Sequence, residues 1–119
     1  MDTLFLHDFN LQLVIGVYEW ERSSTQTVRL DLDIGLPDRR AGQTDDIADA
    51  INYAEVAQEI RLMAAQRNFN LIETLAEQIA ALVLERFGAP WIRVRATKPS
   101  VVRDAAQVGI CIERGTAAG

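Results

Sequence analysis

Of the twelve basic residues in this 119-residue chain, eleven are arginine and one is lysine, Lys98. Both types carry positive charge, but only an ammonium gives up its proton readily when desolvated; a guanidinium stays charged. A chain that uses arginine for charge and keeps a single lysine marks Lys98 as a group for proton transfer or nucleophilic attack. Three further residues carry chemistry of a matching kind. Tyr53 follows Asn52 directly in Asn52-Tyr53-Ala54-Glu55. Its phenol reads either as a proton donor and acceptor or as an aromatic anchor on a sheet. Glu73 ends a second Asn-x-x-Glu segment, Asn70-Leu71-Ile72-Glu73, and on spacing alone it is a capping-box carboxylate. Beside that stands a second use. A helix start stabilises an ionised carboxylate, and a fixed carboxylate accepts two parallel N–H bonds from a guanidine-like edge. Glu21, in the polar run Tyr18 to Ser24, reads as a solvated charge. His7 reads as a surface or core-edge residue, and Trp20 and Trp91 as packing or interface residues.

Composition narrows the partners. Seventeen acidic against twelve basic residues leave a net charge of −5, whereas a nucleic-acid binder usually shows a basic face. The lone Cys111 forbids an internal disulfide and suits a reducing, cytoplasmic setting. The opening Met-Asp-Thr-Leu lacks a signal peptide's basic and apolar regions. No apolar run reaches the ~18 residues of a membrane span. One histidine and one cysteine are too few for a zinc site without carboxylates. The expectation is a single domain over 1–119 whose chemistry uses no metal and no cofactor.

These residues need a scaffold, and hydrophobic periodicity supplies one. Leu4 to Val17 is apolar and β-favouring, but both of its faces are partly apolar, so alternation gives it no register. Val28, Leu30, Leu32, Ile34 and Leu36 alternate with Arg29, Asp31, Asp33 and Gly35, the pattern of a half-buried strand that Pro37 ends. Residues 38–50 are polar and read as a loop with at most a short helical turn. Asn52 caps a helix running to about Gln66, with Val56, Ile60, Met63 and Ala64 on its apolar face. Asn70 is expected to cap a second, with Leu75, Ile79, Leu82, Val83 and Phe87, stopped by Gly88 and Pro90. Ile92, Val94, Ala96 and Lys98 share one parity of a third strand; Val108, Ile110 and Ile112 mark a fourth. The order β-β-α-α-β-β implies an α+β fold, a four-stranded, mostly antiparallel sheet with two helices on its apolar face. Parity places Lys98 on that face at the strand's last position before Pro99. An ammonium there is partly desolvated, which disfavours a charged form; the alternative is a lysine that snorkels to water.

The ordered set Ile15-Gly16-Val17-Tyr18, Trp20-Glu21, Asp45-Asp46, Asn52-Tyr53-Ala54-Glu55, Leu71-Ile72-Glu73-Thr74-Leu75-Ala76-Glu77, Thr97-Lys98-Pro99 and Val108-Gly109-Ile110-Cys111-Ile112-Glu113-Arg114-Gly115 resembles the bacterial dihydroneopterin aldolases of folate biosynthesis. The match runs from about residue 2 to residue 115, and Ser100, where related sequences often have glycine, is a small departure. The resemblance implies the T-fold, with subunits side by side in tetrameric rings that usually stack as octamers and active sites between subunits. It implies a pterin substrate: 7,8-dihydroneopterin loses glycolaldehyde and leaves 6-hydroxymethyl-7,8-dihydropterin. The dihydropterin C=N can itself take the electrons, which removes the need for a metal. By the same resemblance Lys98 and Tyr53 are catalytic, Glu73 with the backbone of Ile72 anchors the pterin, and Glu21 contacts the substrate. Two other readings stay open at this point. One is a dihydroneopterin triphosphate 2′-epimerase, for which Arg22 and Arg103 are available, or an aldolase with epimerase side activity. The other is a pterin-binding module without catalysis.

Overall fold

In the computed structural model, which describes residues 1–99 and 102–116, two strand hairpins flank a helical connection. Strands β1 (Thr3–Leu13), β2 (Gln26–Gly35), β3 (Trp91–Pro99) and β4 (Gln107–Gly115) form one antiparallel sheet in the order β1-β2-β3-β4. A one-turn helix, α1 (Glu19–Arg22), joins β1 to β2. Between β2 and β3 come α2 (Arg40–Thr44), a 3-10 turn at Ile47–Asp49, α3 (Tyr53–Ala65) and α4 (Ile72–Arg86). The two long helices cover one face of the sheet, α3 against β1 and α4 against β3 and β4. Among the described residues no helix is long and apolar enough to cross a membrane.

The core follows the alternation. Val28, Leu30, Leu32 and Ile34 of β2 and Ile92, Val94 and Ala96 of β3 are fully buried against Val56 and Ile60 of α3 and Leu75, Ile79 and Val83 of α4. Fully burying one such aliphatic side chain contributes about 1.5–3 kcal/mol, so these positions hold the sheet to the helices. The helix ends obey local chemistry. Asn52 accepts hydrogen bonds from the backbone N–H groups of Ala54 and Glu55. Gly88 follows the end of α4 with φ +68°, the left-handed conformation that glycine adopts without strain.

Three expectations are corrected. The first strand stops at Leu13 rather than Val17, and its register shifts between Leu6 and Phe9. Asp8 sits in that β-bulge at φ +56°, its N–H held by the Asp31 carboxylate at 2.8 Å. The extra residue moves the inward parity from Leu4 and Leu6 to Phe9, Leu11 and Leu13, which is why both faces look apolar in sequence. Second, Asn70 does not cap α4: the cap position is Leu71, no side chain bonds there, and the helix starts at Ile72. Glu73 is therefore not a capping-box glutamate. Third, the polar stretch 38–50 is largely ordered as α2 and the 3-10 turn, whose Asp46 side chain accepts from Ala48 N–H.

Candidate active site

Lys98 lies where parity puts it, at the core-facing end of β3, paired with Val108 of β4. It is 9% exposed, and its Nζ donates to Glu21 Oε2 at 2.8 Å. Glu21 is 5% exposed, which overturns its reading as a solvated charge. The polar run hides it because α1 folds back over the rim of the sheet. Its other oxygen receives the Tyr18 backbone N–H at 3.4 Å. The hydrogen bond from Lys98 holds the Glu21 carboxyl below its ordinary value of 4.5, against the upward push of burial; the Tyr18 backbone and the Gln26 amide act in the same direction. An ammonium and a carboxylate so placed form a buried donor–acceptor pair that can pass a proton to a group entering beside it. Lys98 also borders an open cleft of about 450 Å3 that reaches Asn10, Thr27, Thr97 and Gln107 on the sheet's other face.

Backbone geometry fixes the loop that carries Glu21. Ile15 bridges Phe69. Gly16 N–H donates to Phe69 C=O at 2.9 Å, and Phe69 N–H to Val14 C=O at 3.0 Å. Gly16 has φ +135°, and a β-carbon there would stand 2.6 Å from Glu21 Oε1. Only glycine leaves the Glu21 side chain its place. The Gln26 side-chain amide donates to Ile15 C=O at 2.8 Å and to Glu21 C=O at 3.2 Å.

The bridge at Phe69 also brings the start of α4 to this end of the molecule. Ile72 is half-buried and Glu73 is exposed in the helix's first turn. Among the described residues the Glu73 carboxylate makes no hydrogen bond or ion pair, so its acceptors face outward at a helix start that favours an anion.

Tyr53 is not brought to this cluster within one chain. It opens α3 and is 60% exposed, so it is no aromatic anchor on the sheet. The beginning of α3 lies beside the end of α4, where Ala54 and Glu55 share a hollow with Arg86 and Phe87 and Glu59 pairs with Arg86. With 15 residues at ~1.5 Å each, α4 separates that end from Glu73 by roughly 20 Å. The other residues considered lie outside the pair. His7 is a surface residue bonded to Asp33 at 2.9 Å, a carboxylate that Arg93 also holds. Trp91 is half-buried and Cys111 exposed. Trp20 is 65% exposed next to Glu21 and lies parallel to Tyr18. Arg22 and Arg103 are both exposed. Ser100 lies outside the described residues. Gly16 and Gln26 are the residues that motif reasoning did not single out as parts of the site. The available cue for Gln26 is the one that placed Lys98: a polar residue on a core-facing parity at a strand's end.

Comparison with known proteins gives the family. The family model for dihydroneopterin aldolase matches residues 4–113. The dihydroneopterin aldolase of Escherichia coli K12 is 38% identical over 115 residues, 97% of this chain and 94% of its own length. That of Haemophilus influenzae is 35% identical over 97% of this chain and 98% of its own. The crystal structure of the E. coli aldolase in complex with neopterin superposes with a TM-score of 0.90 at 38% identity, covering 97% of this chain and all of the other. With fold, motifs and relatives in agreement over nearly its whole length, the chain belongs to the dihydroneopterin aldolase family.

Proposed function

We propose that the chain cleaves 7,8-dihydroneopterin with Lys98 moving the protons, Glu21 holding Lys98 and placing the trihydroxypropyl chain, Glu73 and the Ile72 backbone anchoring the pterin, and Tyr53 completing the step. Aldolase activity is that of the family; the assignment of parts is ours. The observation that carries it is the buried 2.8 Å Lys98–Glu21 pair at the border of an open cleft.

The chemistry follows from these groups. A proton leaves the 2′-hydroxyl as the C1′–C2′ bond breaks. The electron pair enters the ring C=N, whose nitrogen takes a proton, and glycolaldehyde departs. The enamine so formed takes a proton at C1′ and gives up the one on the ring nitrogen, which restores the C=N and yields 6-hydroxymethyl-7,8-dihydropterin. Lys98, through a water, serves the hydroxyl and the ring nitrogen; Tyr53 supplies the proton at C1′. Glu73 fixes the ring so that each transfer starts within reach.

Because Tyr53 lies at the far end of α4 from Glu73 of its own chain, roughly 20 Å along the helix, the complete site takes Tyr53 from a second copy. The working form is then a homo-oligomer, a ring of four or a pair of such rings. The same residues could re-add glycolaldehyde with inverted geometry, so 2′-epimerisation is a side activity of the same site. The test is to incubate the purified protein with 7,8-dihydroneopterin and, separately, with its triphosphate, without added metal. Glycolaldehyde from the first substrate supports the aldolase reading. Epimer alone moves the assignment to the epimerase, and pterin binding without product refutes catalysis.

A further inference from the structure

A helix of one turn cannot hold itself together in water, since its first hydrogen bond costs more in ordering than it returns. Yet α1, only four residues long, presents a buried carboxylate to Lys98 at hydrogen-bond distance. Something outside the turn must fix it. Beside the backbone bonds to Phe69, two of the bonds that do so come from one side chain. Gln26 is the first residue of β2, paired with Leu13 of β1, so its backbone belongs to the sheet. Its amide nitrogen sends one N–H to Ile15 C=O at 2.8 Å and the other to Glu21 C=O at 3.2 Å. Those carbonyls lie at the two ends of the segment 15–21. One amide thus closes the loop and ties both ends to a rigid strand. Gly16, inside the loop, leaves the space that the Glu21 side chain fills.

From this geometry we propose that Gln26 is a positioning residue for the aldol cleavage: it acts through the backbone of Glu21 to hold that carboxylate against Lys98. The inference rests on the assignment of Glu21 and Lys98 as the chemical centre. Gln26 requires both of its N–H donors. Methionine has similar length and none; asparagine keeps the amide but is one methylene short, so it cannot reach both carbonyls. Displacement of a positioned group by about 1 Å can cost 10²-fold in rate, and loss of one of several restraints on the loop costs less.

The experiment is a kinetic cycle on the intact protein with 7,8-dihydroneopterin, using Gln26→Met, Glu21→Ala and the double variant. Gln26→Met is expected to lower kcat about 10-fold with KM changed less than about 2-fold, and Glu21→Ala to lower kcat about 100-fold. In the Glu21→Ala background, Gln26→Met is expected to add less than about 2-fold, because a residue that acts only through Glu21 has nothing left to position. A Gln26→Met enzyme with wild-type kcat overturns the proposal, as does a 10-fold loss that persists in full on top of Glu21→Ala. If instead Glu21→Ala itself keeps wild-type turnover, the assignment of the site is wrong and the role of Gln26 falls with it. Should Gln26→Met fail to fold, Gln26→Asn enters the same cycle with the same expected outcomes.

Discussion

The Lys98–Glu21 pair should be strongly coupled in stability, and its size can be worked from its geometry. At 2.8 Å and an effective dielectric of 20, opposite unit charges attract by about 6 kcal/mol. Withdrawing each ion from water opposes this by several kcal/mol. The intact pair is then near balance, but a lone partner is not. Lys98→Met leaves a carboxylate that is 5% exposed without its cation, and Glu21→Gln leaves an ammonium that is 9% exposed without its anion. Each should cost about 3–5 kcal/mol. The double variant Glu21→Gln/Lys98→Met strands no charge and should cost less than the sum by a coupling of roughly 2–4 kcal/mol. Urea unfolding at one fixed protein concentration measures all four corners. The pH dependence has a definite sign. Because Lys98 holds the Glu21 carboxyl below 4.5 in the folded state, its stabilisation is fully present above the unfolded value of about 4.5 and is lost as pH falls through the folded value. The penalty of Glu21→Gln should therefore be complete at pH 7 and shrink below about pH 4. Costs that add to within about 0.5 kcal/mol at pH 7 would refute the reasoning.

Further outcomes follow from the other groups. Lys98→Arg keeps the charge but not the exchangeable proton; turnover should fall on the order of 10²-fold or more, with pterin affinity by fluorescence titration changed much less. Glu73→Ala should weaken pterin binding by about 1.5–3 kcal/mol, roughly 10- to 150-fold. Since Glu73 bonds nothing in its own helix, the melting curve should barely move, and unchanged affinity would remove the anchor. Mixing Lys98→Arg and Tyr53→Phe chains and allowing subunit exchange should restore about a quarter of the wild-type sites, those that draw both residues from unmutated positions; no recovery would refute a shared site. Asn52→Ala should destabilise the protein by about 1 kcal/mol through the start of α3, read from the urea midpoint.

Alternation made much of this legible before any coordinates. The parity of Ile92, Val94 and Ala96 placed Lys98 on the core face, and β2 announced itself by its period of two. What sequence hid was tertiary. Glu21 reads as solvent-facing because its neighbours Glu19, Arg22 and Ser23 are polar, and nothing local reports that the turn folds over the rim. Glu73 reads as a cap because the Asn-x-x-Glu spacing is right, but Leu71 takes the cap position and the helix begins one residue late for the box. The separation of Tyr53 from Glu73 is a matter of helix direction: the start of α3 lies beside the end of α4, so two residues in the first turns of their helices lie at opposite ends. No motif at either position records that.

The bulge at Asp8 has a bearing on how this chain tolerates length changes. It acts as a phase adjuster between the first residues of β1 and the segment that continues through Leu13 and Gly16 to Glu21. Deleting that one residue would heal the ladder without a fault: Leu6 keeps Leu32 opposite it and Phe9 keeps Leu30, with His7 opposite Asp31, so Leu4, Leu6, Phe9, Leu11 and Leu13 all stay on the core face. Deleting Asn10 instead, with the pairing at both ends of the strand kept, would turn Asp8 onto the core face opposite Leu30 and Phe9 away from it. The extra residue is thus a frame marker: along the strand that leads into the site, the bulge is the place where the loss of one residue leaves the register intact.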